Sequence, residues 1–306
     1  MQVPIGHAII DGKIVPDDWW TITTGPIVRI RWPHMLLAAF LTTSMSVIAT
    51  GAWHTLRGHC LPEACVMLRW GLGLVAVLIP VQMVFGHLTG LYVLQYQPAK
   101  FAAIEASWHT QQPATEVLIA LPDPLAERNL FPIDVPKLGS FIASGNWTAK
   151  EIGLEAFPPH DQPPVVIPFF AFRFMVGMGL IMIAISWGGL LLVWRNKLEN
   201  ARWFLWAAFL SFPTGFIAVL CGWYTAEVGR QPWVVYGVLR TADAVSPIPG
   251  GSVLISILLF VLVYGIVFGA GVYYMAKLVR RGPEEMPLAE EEADLSHRPM
   301  AAAGAP

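Results

Sequence analysis

The chain has 306 residues, of which 55% are hydrophobic and only 13% charged, and its mean hydropathy is +0.56. A soluble domain carries about 25% charged residues, so this composition describes an integral membrane protein. The net charge of −2 argues against nucleic acid as a partner, which needs a basic face.

In chain order, residues 1–30 read as a polar loop containing Pro and Gly. They lack the basic start and apolar core of a secretory leader. A span needs about 20 mostly apolar residues. Five segments meet that length: 32–56, 66–92, 169–194, 203–228 and 253–278. The first two fall in a unit at 31–94 and the last three in a unit at 168–281. Between these units lies a polar stretch, 95–167, rich in Pro, Asp and Glu. The acidic, Ala- and Pro-rich tail at 282–306 has a composition that forms no packed core. The predicted fold class is an all-α integral membrane protein with five transmembrane helices.

Basic residues of short loops mark the cytoplasmic side. Arg57 and Arg69 lie between segments one and two. Arg195, Lys197 and Arg202 lie between three and four, and Lys277, Arg280 and Arg281 follow segment five. All three groups fall on one side. The N-terminus and the long polar stretch are therefore expected outside, and the C-terminus in the cytoplasm. Tryptophans at the segment ends (Trp32, Trp70, Trp194, Trp203, Trp233) suit an interfacial belt.

Three cysteines are present, without a Cys-x-x-Cys-His motif, so covalent c-type haem is not expected. Cys60 and Cys65 flank a short loop and read as packed thiols rather than a metal pair. His54 and His59 read as surface residues on the cytoplasmic side. His87 and Gln82 read as polar groups of segment two.

Depth along the helices selects the candidate chemistry. His34 follows Pro33, a residue suited to a first helical turn. Met175 lies about 10 Å below the outer end of segment three at helical rise. Glu227 ends segment four. The three meet in the outer half of the membrane, and helical bundles build cofactor sites from such facing side chains. Imidazole and thioether form an axial pair for a low-spin haem. A membrane histidine can equally be a packed hydrogen-bonding group, and a methionine core filler. The residues alone leave both readings open. Glu227 and Arg230, three apart, also suit a local ion pair.

Four stretches resemble subunit I of the cytochrome bd quinol oxidases, in that family's order. They are Arg31-Trp32-Pro33-His34, the run Gln97-Pro98-Ala99-Lys100-Phe101-Ala102-Ala103-Ile104-Glu105, Ala171-Phe172-Arg173-Phe174-Met175-Val176, and Gly229-Arg230-Gln231-Pro232-Trp233. The resemblance runs from the first residues to about Arg281. The short outer loop is similar to that of the short-loop branch, which includes the cyanide-insensitive oxidases.

The resemblance implies a quinol:oxygen oxidoreductase of the bacterial inner membrane. Quinol, as ubiquinol or menaquinol, binds at Lys100 and Glu105, which supply a hydrogen-bond donor and a base. Electrons pass to a low-spin haem b on His34 and Met175, then to a high-spin haem b at Glu227, and then to haem d and oxygen. Arg173 tunes the low-spin haem electrostatically. Trp223, one turn before Glu227, stacks on a porphyrin or anchors the interface, and Arg230 accompanies Glu227. The partners implied are subunit II and a very small third subunit. The family's subunit I has about nine membrane helices, and its haem d ligand lies on the first four. The sequence therefore reads as beginning partway through a longer protein, and this chain alone is not expected to reduce oxygen. Two other classes remain in view: a membrane b-type cytochrome that passes electrons from quinone to a partner, and a cofactor-free transport or structural protein. Haem d absorption separates the first from the oxidase. Internal repeats with broken helices would mark the transporter.

Overall fold

The computed structural model describes residues 2–10, 13–59 and 61–282. Cys60 and the tail from residue 283, with His297, lie outside the described residues. In chain order, a hairpin of β1 (His7–Ile10) and β2 (Lys13–Pro16) precedes a short helix α1 (Trp19–Thr24). Then come α2 (Pro26–Arg57), α3 (Leu61–Tyr96) and α4 (Pro98–Glu105). The long connection continues with the hairpin β3 (Glu116–Asp123) and β4 (Arg128–Val135), α5 (Leu138–Ser144), and short 3-10 turns at Leu154–Ala156 and Pro159–Asp161. The remaining elements are α6 (Val166–Trp194), α7 (Arg202–Leu210), α8 (Thr214–Val228), the hairpin β5 (Trp233–Val235) and β6 (Leu239–Arg240), and α9 (Gly250–Arg281).

Among the described residues, five helical stretches are long and apolar enough to cross a membrane, beginning with Trp19–Arg57. The expected five spans are present, and the loops add three small hairpins to the helical frame. Most spans extend a few residues beyond expectation, and three differences bear on the site and its frame. The helix carrying His34 starts at Pro26, so Pro33 sits inside it and not in its first turn. Gly25 and Pro26 start the helix, with proline at a position that needs no N–H. The charges of Arg29 and Arg31 hide those turns from hydropathy. The second span runs four residues beyond Tyr92, to Tyr96. The fourth span is two helices, broken at Ser211, Phe212 and Pro213, because proline removes a donor and crowds the preceding turn.

The spans pack as a ring: α2 on α3, α3 on α6, α6 on α8, and α8 back on α2, with α7 wedged against α2. Leu41, Met45, Ile48 and Ala52 of α2 meet Leu68, Leu72, Val75 and Ile79 of α3, each set spaced at helical period. Small residues let the backbones approach. A Cβ on Gly51 would lie 2.9 Å from the Ala64 carbonyl, and one on Gly71 would lie 2.6 Å from Ile48. Such contacts hold helices together in lipid, where apolar burial gives no drive.

Pro80 cannot donate to the carbonyl of Ala76 one turn earlier. The indole Nε1 of Trp187 on α6 donates to that carbonyl instead, at 3.3 Å. The proline gap thus becomes a tie between α3 and α6.

His54 is buried, which corrects the surface position expected from sequence. Its Nε2 donates to the Val279 carbonyl at 2.9 Å, tying the end of α2 to the end of α9. Arg69 pairs with Glu199 at 3.5 Å. The basic ends of α2, α3, α6 and α9 therefore gather at one end of the molecule. The opposite end carries the long connection and the candidate site.

Candidate functional site

Three layers build the site, from the bundle centre outward to the loop. In the centre, α2 and α6 stand diagonally across the ring. His34 lies eight residues below Pro26 and Met175 nine below Val166, which is about 12 and 14 Å at helical rise. Both therefore sit at a similar depth below the loop end. His34 is turned toward α3, where its Nε2 lies 3.4 Å from the Gln82 amide nitrogen. Its Nδ1 is buried without a protein partner, as is the Gln82 carbonyl oxygen. Glycine stands beside each candidate ligand. A Cβ on Gly86 would lie 3.4 Å from the His34 ring, and one on Gly222 of α8 would lie 3.0 Å from the Met175 sulfur.

This surrounding fits a haem. An imidazole with one unpartnered nitrogen and a thioether lie on opposed helices. Glycines leave room beside both, and apolar side chains dominate the walls. Among the described residues no three His, Cys, Asp or Glu side chains gather as a discrete metal-ion site, and a haem iron asks only for axial ligands. Cys65 and Cys221 are unbridged thiols.

The second layer closes the mouth. Lys100 on α4 is 2% exposed, so it is no solvated loop charge. Its Nζ donates to the Gln2 side-chain oxygen at 3.0 Å and to the Ala226 carbonyl at 2.8 Å. Gln97 donates to the Gln2 backbone carbonyl. The Gln2 amide donates to Ala226 O at 3.0 Å and reaches Glu227 at 3.4 Å. Gly229 lets the lysine pass, since a Cβ there would lie 3.2 Å from Lys100 Cε. Burial, and then the charge of Arg31, lower the Lys100 amine to about 7, against the pull of Glu227. Near neutral pH this amine both gives and takes a proton.

Glu227 and Arg230 form the expected ion pair at 2.5 Å. Arg230 also donates to the Val234 carbonyl, while its Nε is buried without a partner. One Glu227 oxygen is thus committed, and the other has only the long Gln2 contact. Trp223 is 58% exposed and lies on the outside of the bundle. His87 is exposed as well, so it orders no packed contact.

The third layer is a buried ionic cluster under the loop. Arg173 projects from α6 between α4 and β3. Its Nε donates to Val117 O at 2.9 Å and Leu118 O at 3.1 Å. Nη1 donates to Ile104 O at 2.8 Å, and Nη2 to Glu105 at 3.1 Å and to Val117 O. Its guanidinium lies 3.7 Å over the Phe169 ring. Any effect of Arg173 on the bundle centre therefore comes from the field of its charge, because its hydrogen bonds serve the loop.

Arg173 also faces Glu116 at 3.8 Å, so Glu105 and Glu116 share one guanidinium nitrogen. Burial first, and then Glu105, raise the Glu116 carboxyl to about 8. Glu151 is 5% exposed and accepts from Ser107 at 2.8 Å. Burial raises it to about 7, opposed by the Ser107 bond. Lys100 and Glu105 share α4 but serve different neighbours: Lys100 the end of α8, and Glu105 the arginine of α6.

Sequence reasoning missed Gln2, Gln97, Glu116 and Glu151. The glutamates look like ordinary loop charges, and only the tertiary fold buries them. Arg31 did carry a signal, as a lone cation beside an apolar run.

Comparison with known proteins agrees with this architecture. Residues 1–283 match the family described as cytochrome bd terminal oxidase subunit I. The chain is 32% identical over 299 residues to cytochrome bd ubiquinol oxidase subunit 1 of Bacillus subtilis (strain 168), covering 93% of this chain and 63% of that protein. It is 28% identical over 359 residues to cytochrome bd-II ubiquinol oxidase subunit 1 of Escherichia coli (strain K12), covering 94% and 69%. Among solved structures, the bd oxidase from Geobacillus thermodenitrificans superposes with a TM-score of 0.84 at 25% identity, covering 92% of this chain and 65% of that one. The chain thus spans about two thirds of the length of these relatives. It is a member of the cytochrome bd terminal oxidase subunit I family.

Proposed function

We propose that this chain is the quinol-oxidising, haem-carrying subunit of a cytochrome bd-type terminal oxidase. The observation that carries the proposal is the placement of His34 and Met175 on diagonal helices, beneath a mouth closed by buried Lys100 and Glu105. The relatives are named as ubiquinol oxidase subunits. The assembly would comprise this subunit, subunit II and a very small third subunit. All of α9 is exposed or nearly so, which suits a helix that faces lipid or another subunit.

His34 and Met175 would hold a low-spin haem b, which supplies one-electron redox chemistry at the depth of the bundle centre. Glu227, with one oxygen uncommitted, would ligate or adjoin a high-spin haem b. Arg230 would fix its orientation, and Trp223 would lie at the rim. Haem d, the site of oxygen reduction in the assembly, is assigned no residue of this chain.

The chain's own groups would handle substrate and protons. A quinol oxygen at the mouth needs a donor and a base. Lys100, balanced near neutrality, would donate to the oxygen, while Glu105 would take its proton. Arg173 holds Glu105 in place and keeps its charge beside the path. With the basic ends in the cytoplasm, the loop end is outside and quinol protons leave there.

The test is Glu105→Ala in the assembled oxidase. We expect quinol oxidation to slow with haem content intact. Loss of all haem in that variant would mark Glu105 as a structural residue.

A further inference from the structure

Behind Glu105 the loop contains two more carboxyl groups that the reading above leaves unused. Glu116 faces the same Arg173 nitrogen as Glu105, and the charge of Glu105 acts on it. Its side chain is only 15% exposed. Glu151 lies close enough for its charge to act on Glu116 and to feel that of Glu105. It is fixed on both sides: its backbone pairs with Gln111 and its carboxylate accepts from Ser107. Ser107 and Gln111 in turn line a cavity of about 200 Å³ whose other wall includes exposed Glu127, Arg128 and His109. Carboxyl groups therefore stand between the buried base and a solvent-facing cavity, with Ser107 bridging Glu151 to that cavity.

Buried carboxyls are costly when charged. Two of them face one arginine, and the third, Glu151, is buried nearby with no cation beside it among the described residues, an arrangement that favours protonated carboxyls. A structural ion pair would need Glu105 and Arg173 alone.

We propose that Glu116 and Glu151 form a proton relay that carries the substrate's protons from Glu105, through Ser107 and the adjoining cavity, to solvent. The inference rests on the quinol-oxidation reading. Hydroquinone becomes quinone by losing two electrons and two protons. The two electrons would be accepted by the bound haem, and a proton from a breaking O–H bond goes to Glu105. Glu105 passes it to Glu116, which faces the same guanidinium, and a proton moves on to Glu151. From there it leaves through the Ser107 hydroxyl to water in the cavity, so that each carboxyl returns to its starting state. The groups facing Glu116 are Glu105 from α4, Arg173 from α6 and Glu151 from the segment after α5. The two relay carboxyls, raised to about 8 and about 7, exchange protons across the pH range of turnover.

The experiment places Glu116→Gln, Glu151→Gln, Glu116→Asp and Glu105→Ala in the assembled oxidase in membranes. It reads quinol oxidation rate against pH, the quinol KM and the haem spectrum. The relay predicts that each Gln variant lowers turnover about tenfold, less than the ~100-fold or more for loss of a base itself. It also predicts unchanged KM and haem, and loss of the rate's dependence on pH between 7 and 8. Glu116→Asp, which keeps a titrating carboxyl, retains most of the rate. Wild-type rate and pH profile in both Gln variants, with Glu105→Ala impaired, would overturn the relay and leave the quinol site standing. Equal loss in Glu116→Asp and Glu116→Gln would mark a packing role and also overturn it. Wild-type rate in Glu105→Ala would remove both readings.

Discussion

The bundle centre and the loop cluster are both buried, yet they treat polar groups in opposite ways. In the centre, His34 has one nitrogen without a partner and the other only 3.4 Å from an amide nitrogen, and Gln82 has an orphaned oxygen. In the cluster, Arg173 spends its guanidinium on the carbonyls of Val117, Leu118, Ile104 and Phe169 and on two carboxylates. An unsatisfied buried group costs about 1–3 kcal/mol, a cost that the centre bears and the cluster avoids. The proposed function gives the centre the cofactor and the cluster the substrate's protons.

The largest effect expected is at the centre. His34→Ala should abolish the low-spin haem signal in the optical redox spectrum of the assembled oxidase. Retention of that signal would remove the contrast. Next is Glu105→Ala at the mouth, where quinol oxidation should fall by about 100-fold or more with haem retained. An intermediate effect is expected from Gly222→Val. The added branched side chain enters space 3.0 Å from the Met175 sulfur, so the low-spin haem spectrum should shift while quinol KM holds. An identical spectrum would show that Met175 points elsewhere.

Lys100 sharpens the comparison through pH. Its amine is lowered to about 7 in the fold, from the 10.5 of an unfolded lysine. Below pH 7 both states are protonated, and the fold bears the full cost of a buried ammonium. Between pH 7 and 10.5 the unfolded state binds more protons, so stability rises with pH. Lys100→Met should flatten that rise in thermal melts of the detergent-solubilised oxidase. The smallest effect is Trp187→Phe, which leaves the Ala76 carbonyl without a donor and should lower stability by about 1 kcal/mol.

The spans were legible because hydropathy needs only composition over a window, and the five apolar runs are unambiguous. Helix starts and breaks were less so. Pro33 resembled a first-turn proline, but Gly25 and Pro26 start the helix and the arginines between them mask it. Pro213 was visible inside segment four, and the structure shows it splitting that span. The pairing of Lys100 and Glu105 was legible from the resemblance, while the short helix that carries them and their divergence were not, because the divergence depends on which distant residues reach α4. His54, Gln2, Glu116 and Glu151 acquire their roles from partners 225, 224, 11 and 44 residues away respectively. No local pattern encodes such contacts.

The account turns on His34 and Met175 sharing one iron. Near-infrared magnetic circular dichroism of the assembled oxidase reads thioether ligation directly. The account predicts a thioether-to-iron band in the wild type that disappears in Met175→Leu while the haem remains bound. The same band undiminished in Met175→Leu would contradict it.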